Sequence, residues 1–87
     1  MPPTGSAVAP LPIAFLDANV LYPAPLRDFL MQAAVAPFYE PRWSSRIHDE
    51  WTRNLLADRP DLKPEQIART RLLMETTFPS ALVTGYE

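Results

Sequence analysis

The sequence predicts an α/β fold built on a short parallel sheet that is cut off after about its third strand. Three observations carry that reading. Ile13, Ala14, Phe15 and Leu16 form an almost continuous apolar run, the pattern of a strand covered on both faces, as in parallel sheets. Segments with helical periodicity then alternate with further short apolar runs, which argues for strand–helix–strand units. The order reads strand, helix, strand, helix, helix, strand, and two or three strands do not complete a sheet.

The bulk composition sets limits on function. With 87 residues the chain is one domain at most. A unit of that size buries only about 60% of the surface its unfolded chain exposes, so its core is thin. A hydrophobic share of 47% still suffices for a real core. The net charge of -2 offers no global attraction to a polyanion. Charge is nevertheless uneven, because residues 42–71 hold seven cations against five anions while the flanks carry -4. A phosphate-contacting face could sit in that middle stretch, and so could an ordinary solvated helix surface. The absence of cysteine excludes a disulfide framework and a thiolate metal site, and it fits a reducing cytoplasm. Pro10 and Pro12 interrupt the best candidate for a signal segment, which also lacks a basic lead-in. No run reaches the roughly 20 apolar residues of a membrane helix, so a cytoplasmic protein is expected.

The elements follow in order. Residues 1–12, with four prolines, read as a flexible arm, and residues 13–87 as the folded unit. Asp17-Ala18-Asn19 is turn chemistry. Pro23 and Pro25 exclude a helix interior at that point, although Pro25 suits a first helical turn. Leu26, Phe29, Leu30, Ala33 and Ala34 then recur as the apolar stripe of a helix ended before Pro37. The aromatics Phe38, Tyr39 and Trp43 suggest a second strand, with Pro41 limiting how it pairs. Ser44 or Ser45 caps a helix carrying Ile47, Trp51 and Leu55, with Leu56 alongside, and ending near Asp58. Pro64 and Glu65 open another helix, whose inner stripe is Ile67, Met74 and Phe78, with Leu73 adjoining. Ala81, Leu82 and Val83 could begin a third strand.

Few residues can carry chemistry. Asp17 ends the first strand, on the edge where open α/β sheets bind ligands. A carboxylate there can hold a hard cation such as Mg²⁺, or it can accept a backbone N–H in a local turn; the spacing leaves both readings open. Asp49 and Glu50 sit in the first turns of a helix, where acids complement the dipole. Asp49 can also pair with Arg53 at i+4, worth about 0.3–0.5 kcal/mol. The two acids point about 100° apart, which places Glu50 at the border of the buried stripe and Asp49 further into solvent. His48, the single histidine, reads as a half-buried helix residue rather than a metal ligand or base. Gly5 and Gly85 alone make no phosphate loop, and Ser44 and Ser45 have no positioned base.

Taken together these residues resemble a known set. The apolar strand followed by Asp17-Ala18-Asn19-Val20-Leu21 resembles the opening of PIN-domain ribonucleases. The segments at residues 22–30, 47–55 and 81–87 are similar to the VapC-type toxin branch of that family, and the likeness spans residues 13–87. It implies a PIN-like α/β/α sandwich, of which this chain is the N-terminal portion, and Mg²⁺- or Mn²⁺-dependent endonuclease activity on RNA. Asp17 and Glu50 match acids that would serve as catalytic residues and metal ligands, and Asn19 matches a polar position beside the first. The family's two further acids have no counterpart in this chain, so catalysis by this chain alone stays open and metal binding is expected to be weak. Arg27, Arg46 and Arg53 are the candidates for phosphate contact. Implied partners are RNA, a cognate antitoxin, and a second copy or a complementing C-terminal fragment. The alternative is a non-catalytic module that binds an antitoxin or a complementing chain.

A sheet stopped at its third strand exposes an edge that recruits other chains. Light scattering on the purified chain should therefore report a dimer, a swapped assembly or a larger complex. A stable, cooperatively folded monomer would contradict the truncated-sheet reading.

Overall fold

The computed structural model describes residues 10–84. Most of the expected arm, residues 1–9, and the last motif residues, 85–87, lie outside the described residues. The fold is mixed α/β, with two strands and four helices in the order β1 (Ile13–Phe15), α1 (Ala18–Leu21), α2 (Ala24–Val35), β2 (Glu40–Arg42), α3 (Ser45–Asp58) and α4 (Pro64–Thr77).

β1 and β2 pair in parallel, with Ile13 opposite Glu40, Ala14 opposite Pro41 and Phe15 opposite Arg42. The ladder runs through the amide of Glu40 to the Pro12 carbonyl and the amide of Leu16 to the Arg42 carbonyl, both 2.8 Å. Successive backbone groups on a strand face alternate neighbours. Pro41, lying between those two bonding residues, thus turns its missing N–H away from β1 and costs the ladder nothing. Trp43 faces that other side, where its amide donates to Ala81 and its carbonyl accepts from Val83. The expected third strand is in fact a single parallel bridge between Trp43 and Leu82.

Two local expectations need correction. The stretch after Asp17 is a four-residue helix rather than a turn. Asp17 caps it by accepting from the amide of Val20 at 3.1 Å, and Pro23 stands just after its end. In α2 the buried face is rotated by about one position from the expected stripe. Arg27 and Ala34 are buried, while Leu26 and Phe29 point outward at 38% and 65% exposure. The cause is Arg27. Its Nη1 donates to the carbonyls of Leu21 and Tyr22, at 2.8 and 3.2 Å, satisfying acceptors that the end of α1 leaves open. Its guanidinium also lies 4.7 Å from the centre of the Trp51 ring, a cation–π contact.

α3 and α4 begin and end as their caps and prolines indicate. Ser44 caps α3 by accepting from the Ile47 amide, and Pro64 opens α4. The core comprises Leu16, Ala18, Leu21, Trp43, Trp51, Leu55, Ile67, Met74 and Ala81. Leu73, expected beside the inner stripe of α4, is exposed. Among the described residues, no helix is long and apolar enough to cross a membrane.

His48 is fully buried instead of half-buried. Its Nδ1 accepts the indole N–H of Trp51 at 2.9 Å, and its ring lies 5.0 Å from that of Trp43. Burial, with help from the nearby charge of Arg71, pulls its pKa from 6.5 down to about 4. The folded protein therefore takes up this proton less readily than the unfolded chain, so the stabilisation is complete above about pH 6.5 and is lost as the pH falls toward 4. Urea denaturation should show stability dropping by about 2 kcal/mol from pH 7 to pH 5. His48→Gln should flatten the profile over that range. An unchanged slope in the variant would assign the effect to another group.

Candidate functional site

The carboxyl ends of the two strands and the start of α3 enclose a cavity of about 420 Å³. Its lining includes Asp17, Arg42, Ser44, Arg46 and Glu50 beside the apolar Leu16, Ile47 and Trp43. Each polar group arrives there for a local reason. Asp17 follows β1 directly and is oriented by its bond to the Val20 amide. That bond uses Oδ1, so the turn-type reading and a ligand role for Asp17 do not compete for the same atom. Glu50 lies on α3 between the buried His48 and Trp51, at the border the helical spacing predicts. Among the described residues no hydrogen bond or ion pair engages its carboxylate.

Asp49, one position away, faces α4 instead. Its carboxylate pairs with Arg71 at 2.7 Å, not with Arg53 as the i+4 spacing suggests. Arg71 is held a second time by Glu75, and that fixed cation, brought close by the packing of α3 on α4, outcompetes a flexible neighbour on the same helix.

The three candidate phosphate contacts part company. Arg46 lines the cavity. Arg53 is exposed on α3 and does not line it. Arg27 is buried, with its guanidinium committed to carbonyls and to Trp51; this corrects its assignment as a surface contact. Asn19, expected beside the first acid, lines a separate cavity with Tyr22, Asn54 and Asp58. Arg42 was missed at the sequence level. Its signal is the same as that of Asp17, a position at the carboxyl end of a strand, but Pro41 argues against a strand there.

Two acidic residues, Asp17 and Glu50, line one cavity with two arginines, Arg42 and Arg46. The donor set is oxygen, which suits Mg²⁺ or Mn²⁺, and Mg²⁺ is commonly held by one or two carboxylates with waters and phosphates completing its shell. No group of three His, Cys, Asp or Glu side chains comes together among the described residues. A second cavity, also about 420 Å³, lies between α2 and α4 and is mainly apolar, with Met31, Val35, Leu73, Met74 and Phe78 in its walls. It holds no carboxylate pair.

No protein-family model, curated protein or solved structure matches the chain. Function therefore rests on the site itself. Calorimetry at neutral pH should find no Mg²⁺ site tighter than the millimolar range. A micromolar site would mean that the ligands are misassigned or that a neighbouring molecule completes them.

Proposed function

We propose that this chain carries part of the active site of a metal-dependent endoribonuclease, a PIN-like α/β/α sandwich of the VapC toxin type acting in a toxin–antitoxin pair. The observation that supports it best is that Asp17 and Glu50, distant in sequence, line one cavity at the carboxyl ends of parallel strands. In this reading Asp17 and Glu50 would be the ligands of Mg²⁺ or Mn²⁺. When bound, such an ion lowers the pKa of water and offsets charge on the phosphoryl oxygens. The Val20 amide holds the Asp17 carboxylate in place, so that no reorganisation is required of it. Arg46 on the cavity wall supplies positive charge to a phosphate. Two carboxylates are few for this chemistry, so the working site is completed by a second chain or a second copy.

A second reading is favoured by a separate observation. Phe29, Val35, Phe38, Leu72 and Leu73 are all more than half exposed, and Val35 and Leu73 border the apolar cavity between α2 and α4. Exposed apolar side chains beside an apolar cavity, as Val35 and Leu73 are here, suit an interaction site. In this reading the chain binds an antitoxin or a complementing fragment without catalysis.

Cleavage of single-stranded RNA separates the two. Any assembly of this protein that cleaves RNA should require Mg²⁺ or Mn²⁺ and stop in EDTA. Asp17→Asn should abolish cleavage with the fold intact, because the amide oxygen can still cap α1 while the charge is gone. Glu50→Gln should slow cleavage by about 10- to 100-fold. Asp49→Asn should leave cleavage near the parent value and cost at most about 1 kcal/mol of stability, the worth of an exposed ion pair. An Asp17→Asn protein that cleaves normally would sink the assignment. Failure of every assembly to cleave would leave the binding module as the reading.

A further inference from the structure

We propose that Arg42 is a substrate-phosphate anchor of the Asp17–Glu50 cavity and that Glu40 is the positioning residue that holds it ready. The proposal rests on the ribonucleic-acid reading above and deepens it by adding residues to the same site.

Arg42 and Glu40 lie two apart on β2, so their side chains leave the same face of the sheet. The Arg42 carbonyl accepts the amide of Leu16, the residue before Asp17. This ladder bond ties the backbone that carries the cation to the backbone that carries the carboxylate. Arg42 stands between the Asp17–Glu50 cavity and a neighbouring one that Glu40 and Pro41 also border, and its side chain is 20% exposed, open to a ligand without being free in solvent.

The guanidinium has two partners. Nη1 donates to the Pro41 carbonyl at 2.9 Å, and Nη2 donates to Glu40 Oε1 at 3.0 Å. Its remaining N–H groups, including Nε, have no partner among the described residues. The two acids that share the cavity, Asp17 and Glu50, are not among its partners. A cation confined with two carboxylates would ordinarily fall onto one of them. Glu40 prevents this by offering a carboxylate outside the cavity lining, which leaves Asp17 and Glu50 available and keeps unused donors of the fork for an incoming phosphate. Planar guanidinium groups suit phosphate oxygens. The contact is with the backbone of the nucleic acid, so it positions the chain and carries no sequence information.

Anisotropy of a short fluorescein-labelled single-stranded RNA, titrated with the 87-residue chain in EDTA at several salt concentrations, tests this. Each lost phosphate contact on a single strand reduces the slope of log K against log salt by about 0.7. Arg42→Gln should show that reduction and bind about tenfold more weakly. Arg42→Lys keeps the charge but loses the fork, so it should restore the slope and only part of the affinity. Glu40→Gln should weaken binding although it removes a negative charge, because the fork is released toward Asp17 and Glu50. A general electrostatic role predicts the opposite sign for Glu40→Gln, and a merely structural role predicts parent-like binding by the folded variant. Circular dichroism on each variant reports folding, and Arg42→Lys carries the test should Arg42→Gln not fold. A parent-like slope for Arg42→Gln, full affinity for Arg42→Lys, or tighter binding by Glu40→Gln overturns the proposal while RNA binding by the parent keeps the wider reading. No RNA binding by the parent at any salt overturns both.

Discussion

The indole of Trp51 is engaged at its face and at its N–H, and much of the fold is organised around that fact. The Arg27 guanidinium lies over the ring from α2, and the N–H is bonded to His48 one turn earlier on α3. Arg27 in turn reaches the carbonyls at the end of α1. A single buried side chain therefore links three helices. This arrangement explains why α2 packs with a cation inward and leucine and phenylalanine outward. Burying a charge without a carboxylate is costly, and the two carbonyls and the aromatic face offset part of that cost. The same cluster holds His48 neutral, which is why the only histidine of the chain belongs to the core and not to the site.

The site depends on a different constraint, the parallel pairing of two short strands. Parallel strands bring their carboxyl ends to one edge, and there Asp17 and Arg42 leave the sheet together. α3 starts directly beyond that edge, capped by Ser44, so its first turns complete the wall with Arg46 and Glu50. The cavity holds equal numbers of acids and guanidinium groups, and local ion pairing decides which of them stay available. Glu40 restrains one cation outside the carboxylate pair, and Arg71 draws Asp49 away to α4.

Legibility in the sequence followed the range of the interactions. The first strand and its terminal aspartate could be read because an apolar run stopped at a single acid. The starts of α3 and α4 could be read because Ser44 and Pro64 act on their immediate neighbours. The border position of Glu50 followed from helical spacing relative to Ile47 and Trp51. What could not be read were pairings set by tertiary packing. An arginine at position 27 looks like surface until a tryptophan 24 positions later is found beneath it. Asp49 has a plausible partner four residues away, yet its actual partner is on the next helix. Pro41 counted against a strand in which its missing donor turns out to face the harmless side. The short helix after Asp17 is hidden by Pro23, which follows its end, and by Pro25, which belongs to the first turn of α2.

Trp43 occupies both regions of the molecule. It is buried to within 1%, its ring neighbours His48 and Phe78, and it also forms part of the wall of the acidic cavity. Trp51, the only other tryptophan, sits in the core alone. The chain thus carries two intrinsic chromophores with different reporting ranges. Emission from Trp51 follows the integrity of the helix cluster, whereas emission from Trp43 responds to that and to whatever enters beside Asp17 and Glu50. A change in the parent's emission that leaves its circular dichroism constant is therefore an optical signal of cavity occupancy that requires no attached label.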